Sequence, residues 1–204
     1  MLCDMGAQKY GICSDITSTF PVNGKFTAKQ KEIYDIVLKS QRTGIDKLKP
    51  GVPFSQVQDE SFRVILQGLL DLGLVNGTVE ELLKAGVHYT FMPHSLGHYI
   101  GFKTHDVGFQ RPLYDDPESL FTPEDYKKYD PITLANLHAG VVTTVEPGIY
   151  FIQSLFDKAA ANEEKKHFYN FEKIKEYGDD VGGVRIEDMI WVKKDGNELL
   201  TIVR

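Results

Sequence analysis

The chain has 204 residues, of which 42% are hydrophobic and 25% are charged, so it can bury one substantial core. Its net charge of −6 and its scattered lysines and arginines argue against nucleic-acid binding, which requires a concentrated basic surface. No apolar run approaches the roughly 20 residues of a membrane-spanning helix, and two cysteines, Cys3 and Cys13, are too few for a disulfide framework, so we expect a globular cytoplasmic protein.

The first 20 residues are predicted to form a β-hairpin. Apolar residues alternate loosely over residues 2–20, on both sides of the sequence GAQKYG. This pattern places Asp4 on one arm of the hairpin and Asp15 on the other.

Three helices are predicted to follow the hairpin. Each begins at a capping-box pattern, in which Ser or Thr precedes Gln or Glu by three residues. The patterns are Thr27 with Gln30, Ser55 with Gln58, and Thr78 with Glu81. The first helix should occupy residues 28–48, and Gly73 is placed to end the second.

Glycines, prolines, aromatic residues and histidines dominate from residue 89 to about residue 114. The acidic segment 114–131 is interrupted by proline and is predicted to be a solvated loop or a short helix. The sequence GVVTTVEPGIYF then has the composition of a strand, with Val142, Thr144 and Glu146 on one side.

The last 50 residues are predicted to form a helix and a second hairpin. Residues 156–178 are charged and favour a helix, and the closing hairpin has Asp195 and Gly196 at its turn. No repeat or linker interrupts this order, so we predict a single α+β domain.

Three of the six histidines, His94, His98 and His105, lie in the sequence FMPHSLGHYIGFKTHDVG. His94 and His98 are four residues apart, as in the zinc-protease motif His-Glu-x-x-His. That motif is rejected because Ser95 replaces its glutamate and Gly97 disfavours a helix. From the residues alone, the histidines are metal ligands, acid/base groups or ordinary half-buried polar groups.

Four carboxylates, those of Asp4, Asp15, Glu146 and Glu187, lie in strand-like segments, where acidic residues are depleted. Each one separately is interpreted as an exposed position or an ion pair, and Arg185 is available to Glu187. If the four converged on one imidazole, they could not all remain ionised without added positive charge. Two divalent cations would supply that charge, but spacing in sequence does not show convergence.

Four segments resemble, in order, the catalytic domain of the prolidase (Xaa-Pro dipeptidase) family of pita-bread metallopeptidases. They are DMGAQKYGICSDITSTFPVNGKFT, FMPHSLGHYIGFKTHDVG, VVTTVEPGIYFI and GGVRIEDMIWV. The resemblance covers nearly the whole chain and implies the pita-bread (creatinase/aminopeptidase-like) fold, a curved, mostly antiparallel sheet covered by helices. It also implies that residues 1–204 form a single catalytic domain that lacks the family's first elements and its separate N-terminal domain.

The resemblance further implies a site for two divalent metal ions. The ligands implied are Asp4, Asp15, His98, Glu146 and Glu187, with Asp15 and Glu187 bridging the two ions. Such an oxygen-rich set suits Mn2+. A hydroxide shared by the two ions is expected to attack X-Pro bonds of dipeptides or short peptides. The groups implied around the reacting bond are His94 or His105 as a hydrogen-bond donor, Glu146 as a proton shuttle, and Arg185 beside the ligands.

Two departures from the family pattern affect the expected specificity and assembly. The stretch YDPITLANLHAG lacks the arginine with which prolidases hold a dipeptide's carboxylate, so a strict preference for dipeptides is not predicted. Missing sheet elements would leave a strand edge uncovered, which predicts a homodimer. Two alternatives remain: a catalytically weak or inactive module that binds peptides or proteins, and a metal-free creatinase-like hydrolase.

Overall fold

The computed structural model describes residues 1–106 and 137–201. The elements occur in this order: β1 (Leu2–Met5), β2 (Gln8–Lys9), β3 (Ile12–Cys13), β4 (Ile16–Thr19), α1 (Ala28–Lys47), α2 (Phe54–Asp71), α3 (Val79–Ala85), α4 (His88–Phe91), β5 (Val142–Val145), β6 (Gly148–Tyr150), α5 (Gln153–Ala160), a 3-10 turn (Lys166–Phe168), α6 (Phe171–Val181), β7 (Gly183–Arg185), β8 (Asp188–Lys193) and β9 (Gly196–Leu199). Helices and strands alternate irregularly, which confirms the α+β class. The predicted acidic loop at 114–131 lies outside the described residues.

The N-terminal hairpin forms as predicted. β1 pairs with β4, and β2 pairs with β3 nearer the tip. The two-residue loop has positive φ at both Tyr10 (54°) and Gly11 (85°), as a type I′ turn requires. Asp4 lies in β1, and Asp15 lies immediately before β4, so the two arms carry one aspartate each.

Antiparallel pairing joins the strands of the described chain into small sheets of the orders β1-β4, β2-β3, β5-β8-β9 and β6-β7. Isolated bridges connect these sheets. Thr17 in β4 pairs with Glu187 between β7 and β8, and Tyr99 pairs with Thr143 in β5. The bridges bring the hairpin, the histidine-rich segment and the C-terminal strands side by side.

The core lies between the long helices and the strands. α1 packs against α2 on one side and against β5, β6 and β7 on the other. The fully buried apolar side chains include Ile33, Val37, Phe62, Ile65, Leu69, Val145 and Ile149. Burying each such side chain stabilises the fold by about 1.5–3 kcal/mol. This packing makes the strands a rigid support for the residues at their ends.

Two of the three predicted capping boxes are present. Thr27 and Gln30 cap α1, and Thr78 and Glu81 cap α3, each with reciprocal hydrogen bonds. The prediction for Ser55 is wrong: α2 begins at Phe54, so Ser55 lies inside its first turn, and the N-cap is Pro53, whose φ of −63° is the value that its ring imposes. Residues 28–48 differ from the observed α1 by one residue at the C-terminus.

The predictions for the C-terminal half were right in type and imprecise in their limits. The helix predicted over 156–178 is split into α5 and α6, because Asn170 caps a new helix with a hydrogen bond to the Lys173 backbone N–H. The last hairpin turns at Lys194 and Asp195, one residue earlier than expected, with Lys193 paired to Gly196. Within residues 1–106 and 137–201, none of the helices is both long and apolar enough to span a membrane.

Candidate metal centre

The side chains expected to form a metal centre come from four separate parts of the fold and are brought together. Asp4 belongs to β1 and Asp15 precedes β4. His98 lies in the irregular segment after α4, so the rejection of a helical zinc motif is consistent with the structure. Glu146 follows β5 directly, and Glu187 lies in the short break between β7 and β8 rather than inside a strand.

His98 lies among the carboxylates with its Nε2 atom facing them. Nε2 is 3.5 Å from Oδ2 of Asp15 and 3.3 Å from Oε1 of Glu146. The Nδ1–H donates to the backbone oxygen of Tyr99 at 3.0 Å, which leaves the lone pair on Nε2. Burial lowers the pKa of His98, which favours the neutral imidazole that a metal ion requires. Ligand atoms of Asp15, His98 and Glu187 all lie within 4.8 Å of one another.

Burial raises the pKa of three carboxyl groups in this cluster, those of Asp15, Glu146 and Glu187. Burial and the neighbouring Glu187 raise the pKa of Glu146 to about 8. Burial raises the pKa of Glu187 to about 7, and burial together with Asp4 raises the pKa of Asp15. Asp15 and Glu187 are 7% and 1% exposed. Burial among other carboxyl groups therefore opposes the ionised form of each, an effect that added positive charge would relieve.

Arg185 brings positive charge to the site, and all three of its guanidinium nitrogens are engaged. Nη2 forms an ion pair with Asp4, Nη1 donates to the hydroxyl of Tyr150 at 3.1 Å, and Nε donates to Oγ1 of Thr17 at 3.2 Å. Nε also lies 3.9 Å from Oε2 of Glu146. Among the described carboxylates, Asp4 lies nearest to the Arg185 guanidinium and Glu146 lies farther away.

His94 and His105 flank the cluster in different ways. His94 is half-buried, and its Nδ1–H can donate to the backbone oxygen of Ser95 while Nε2 accepts from the hydroxyl of Tyr150, both at 2.8 Å. Burial lowers the pKa of His94. His105 is exposed, and its ring centroid is 4.2 Å from that of His98. Both nitrogens of His94 are thus occupied, whereas His105 is placed at the open side of the site.

Two buried threonines were not singled out from the sequence. The hydroxyl of Thr144 accepts the backbone N–H of His98 and donates to Oε1 of Glu146. Thr17 donates to Glu187 from the neighbouring strand. Strand alternation could have indicated both, because side chains two residues apart lie on the same face. Thr144 lies two residues before Glu146, and Thr17 lies two residues after Asp15. The sequence indicated shared faces but not which atoms meet.

Gly97 allows the histidine segment to lie directly on β5. A Cβ atom at this position would lie 2.1 Å from the backbone oxygen of Thr144. No side chain fits at that distance, so only glycine lets the chain pass so close to the strand. This close approach sets His98 beside Glu146.

The cluster meets the chemical requirements of a divalent-metal site. Its donors are carboxylate oxygens and one neutral imidazole nitrogen, which are ligands of Mn2+ and similar ions. Burial and neighbouring carboxyl groups raise the pKa of Glu146 and Glu187, and bound cations would oppose that effect. The donor atoms of Asp15, His98 and Glu187 therefore fit a divalent cation.

Comparison with known proteins agrees with this chemistry. The chain matches metallopeptidase family M24 over residues 1–194. It is 42% identical over 203 residues to a protein named probable Xaa-Pro aminopeptidase pepP from Botryotinia fuckeliana, and the match covers 100% of this chain and 42% of that protein. It is also 42% identical over 202 residues to the Xaa-Pro dipeptidase of Mus musculus, covering 99% of this chain and 40% of that protein.

Solved structures show the same fold. Aminopeptidase P from Escherichia coli with the inhibitor Pro-Leu superposes with a TM-score of 0.71 at 36% identity, covering 98% of this chain and 37% of that chain. The zinc-substituted form of the same protein, in complex with product, gives the same values. The pita-bread fold expected from the sequence is confirmed. The chain spans about two fifths of the length of the curated relatives it matches.

Proposed function

The chain belongs to metallopeptidase family M24, and we propose that it is a dinuclear metal-dependent peptidase that hydrolyses X-Pro bonds of dipeptides or short peptides. The observation that carries this proposal is the buried group of carboxyls around Nε2 of His98. Without bound cations such a cluster would destabilise the fold, because ionising a buried carboxyl group that has no partner costs roughly several kcal/mol.

The residues that would hold the cations are Asp4, Asp15, His98, Glu146 and Glu187. When bound, two divalent cations would supply Lewis acidity, which polarises a peptide carbonyl and lowers the pKa of water. The hydrogen bond from Nδ1 to Tyr99 keeps the His98 ring in the orientation in which Nε2 faces the cluster. The oxygen-rich donor set supports Mn2+ as the native ion.

Glu146 and His105 would move and hold protons near the reacting bond. Oε1 of Glu146 accepts from Thr144, so Oε2 is the atom that would accept a proton and pass it to the leaving amine. His105 would donate to the carbonyl oxygen as negative charge develops on it. The geometry favours His105 over His94 for this role, because both ring nitrogens of His94 are already hydrogen-bonded.

The relatives' names include both an aminopeptidase and a dipeptidase at equal identity. We propose that this chain accepts peptides longer than two residues, because its sequence lacks the arginine expected to hold the carboxylate of a dipeptide. The homodimer and the cytoplasmic location stay predictions from the sequence. A monodisperse monomer in small-angle scattering would contradict the former.

The function is tested with the metal-depleted chain, Mn2+ and three peptides. Ala-Pro and Ala-Pro-Ala should release alanine only when Mn2+ is added, and Ala-Ala should remain intact. Asp15→Asn should abolish the reaction. Asp35→Asn should not, because Asp35 is an exposed residue that pairs with Lys31 on α1. A wild-type chain that neither binds metal nor cleaves a proline peptide would instead indicate a peptide- or protein-binding module.

A further inference from the structure

Thr17 lies where the two ends of the chain meet at the metal centre. In the strand pairing it is opposite Asp4 in β1 on one side and opposite Glu187 on the other. Its side chain is completely buried. The backbone oxygen of Thr17 also accepts the N–H of Glu187 at 3.0 Å. Thr17 is therefore fixed relative to carboxylates that are far apart in sequence.

The hydroxyl of Thr17 forms two hydrogen bonds whose directions are set by the partners. Nε of Arg185 donates to Oγ1 at 3.2 Å, since a guanidinium has only donors. The single hydroxyl proton is then directed at Oε2 of Glu187, 2.5 Å away. With Glu187 ionised, as a metal ligand must be, the order of donation runs from Arg185 through Thr17 to Glu187.

We propose that Thr17 is a positioning residue of the metal centre, whose hydroxyl holds the Glu187 carboxylate toward Asp15 and His98 and holds Arg185 beside Asp4. The inference rests on the proposed function, because it assigns a role toward the cations that these carboxylates would bind. Groups that hydrogen-bond to ligating carboxylates fix their orientation, and their loss typically weakens metal binding by about 10- to 100-fold.

Valine is the informative replacement because it has the shape of threonine without the hydroxyl. In Thr17→Val the Glu187 carboxylate loses the Thr17 donor and Nε of Arg185 loses the Thr17 acceptor, while the strand and its packing stay the same. Thr17→Ser restores the hydroxyl and loses only a methyl group. If the hydroxyl positions Glu187, Thr17→Ser should keep the wild-type Mn2+ affinity. If the methyl group of Thr17 matters only by filling space, Thr17→Ser should lose affinity.

Thr19 provides a matched control on the same strand. It lies two residues after Thr17 on the same face of β4 and is 9% exposed. In the described part of the chain, its hydroxyl bonds the backbone oxygen of Arg185 at 2.8 Å and the backbone N–H of Arg185 at 3.2 Å, and no carboxylate. Thr19→Val therefore removes a largely buried hydroxyl that contacts the backbone of Arg185 and no carboxylate in the described residues.

The test is calorimetric titration of Mn2+ into metal-depleted wild type and the three variants at one pH, with circular dichroism to verify folding. Thr17→Val should weaken at least one Mn2+ site by about 10- to 100-fold, while Thr17→Ser and Thr19→Val stay close to wild type. If Thr17→Val fails to fold, Thr17→Ala must give the same loss, because it removes the hydroxyl without placing a methyl group beside Glu187.

The outcomes separate this inference from the proposed function. Wild-type affinity in a folded Thr17→Val or Thr17→Ala protein would overturn the positioning role and leave the metal centre in place. An equal loss in Thr19→Val would overturn it as well, because the effect would then belong to the strand. A wild-type chain that binds no Mn2+ would overturn the proposed function, and this inference with it.

Discussion

Replacing Glu146 with glutamine should stabilise the metal-free protein and weaken its stabilisation by metal. The Glu146 side chain is 15% exposed, and burial with the nearby Glu187 raises its pKa from 4.5 to about 8. A carboxyl group with a raised pKa in the folded state binds more protons there than in the unfolded chain. Its effect on the free energy of unfolding is therefore absent below pH 4.5 and becomes increasingly unfavourable up to about pH 8.

The size of the effect follows from the shift in pKa. At pH 8 the linkage relation gives about 4 kcal/mol of destabilisation from Glu146 as an upper bound. Glutamine removes the ionisable group and keeps an oxygen for the hydroxyl of Thr144. The buried amide retains part of the desolvation cost, so we expect a gain of about 2 kcal/mol. For a chain of this size, that corresponds to a rise of roughly 4 to 8 °C in Tm.

The assay is thermal unfolding of chelator-treated protein at pH 8 and pH 5, with and without Mn2+. At pH 5 the difference between wild type and Glu146→Gln should shrink to less than about 1 kcal/mol. With Mn2+ at about 100 times its Kd, wild type should gain about 2.7 kcal/mol and the variant much less. Glu198→Gln, an exposed position paired with Lys193, is the control and should change neither value. A lower metal-free Tm for Glu146→Gln at pH 8, or equal stabilisation of both proteins by Mn2+, would refute the reasoning.

Three further predictions follow from the same site. The Tm of the metal-free wild type should fall from pH 5 to pH 8, because buried Glu146 and Glu187 ionise over that interval. Added Mn2+ should reduce this dependence of Tm on pH. A Tm that rises with pH would be inconsistent with this. Gly97→Ala should lower the free energy of unfolding in urea by about 2 kcal/mol or more, since its Cβ would collide with the backbone of Thr144; an unchanged midpoint would show that the contact is relaxed. His98→Ala should lose bound metal, whereas His105→Ala should keep it and lose turnover, because His105 is the proposed donor to the carbonyl oxygen. Metal analysis beside the peptide assay separates the two, and equal metal loss in both variants would assign His105 to the ligands.

Local sequence patterns predicted the elements that depend on neighbouring residues. The capping boxes of Thr27 and Thr78 are formed by residues three positions apart, so the pattern and the structure report the same contact. The N-terminal hairpin follows from alternation and a turn whose Gly11 accepts positive φ. The cap predicted at Ser55 was wrong, because the helix begins one residue earlier, after Pro53. The local pattern alone does not show which of these two residues precedes the helix.

The candidate site was predicted through its resemblance to a family rather than from spacing. Asp4 and Glu187 are separated by nearly the whole chain, and their proximity arises only from the pairing of β4 with both ends of the fold. The hydrogen bonds through Thr17 and Thr144 depend on strand register at the level of single atoms. The occupied nitrogens of His94 likewise depend on Tyr150, which the sequence places in the strand but not against the ring.

The most direct test of the metal centre is the Mn2+ stoichiometry of the purified chain and of Asp15→Asn, measured by metal analysis after equilibrium dialysis. Asp15 is 7% exposed and lies against His98, so its charge is central to the cluster. The account predicts two Mn2+ ions per wild-type chain and loss of both in Asp15→Asn, as a shared ligand requires. A wild-type chain that retains no Mn2+, or an Asp15→Asn chain that still retains two, would contradict it.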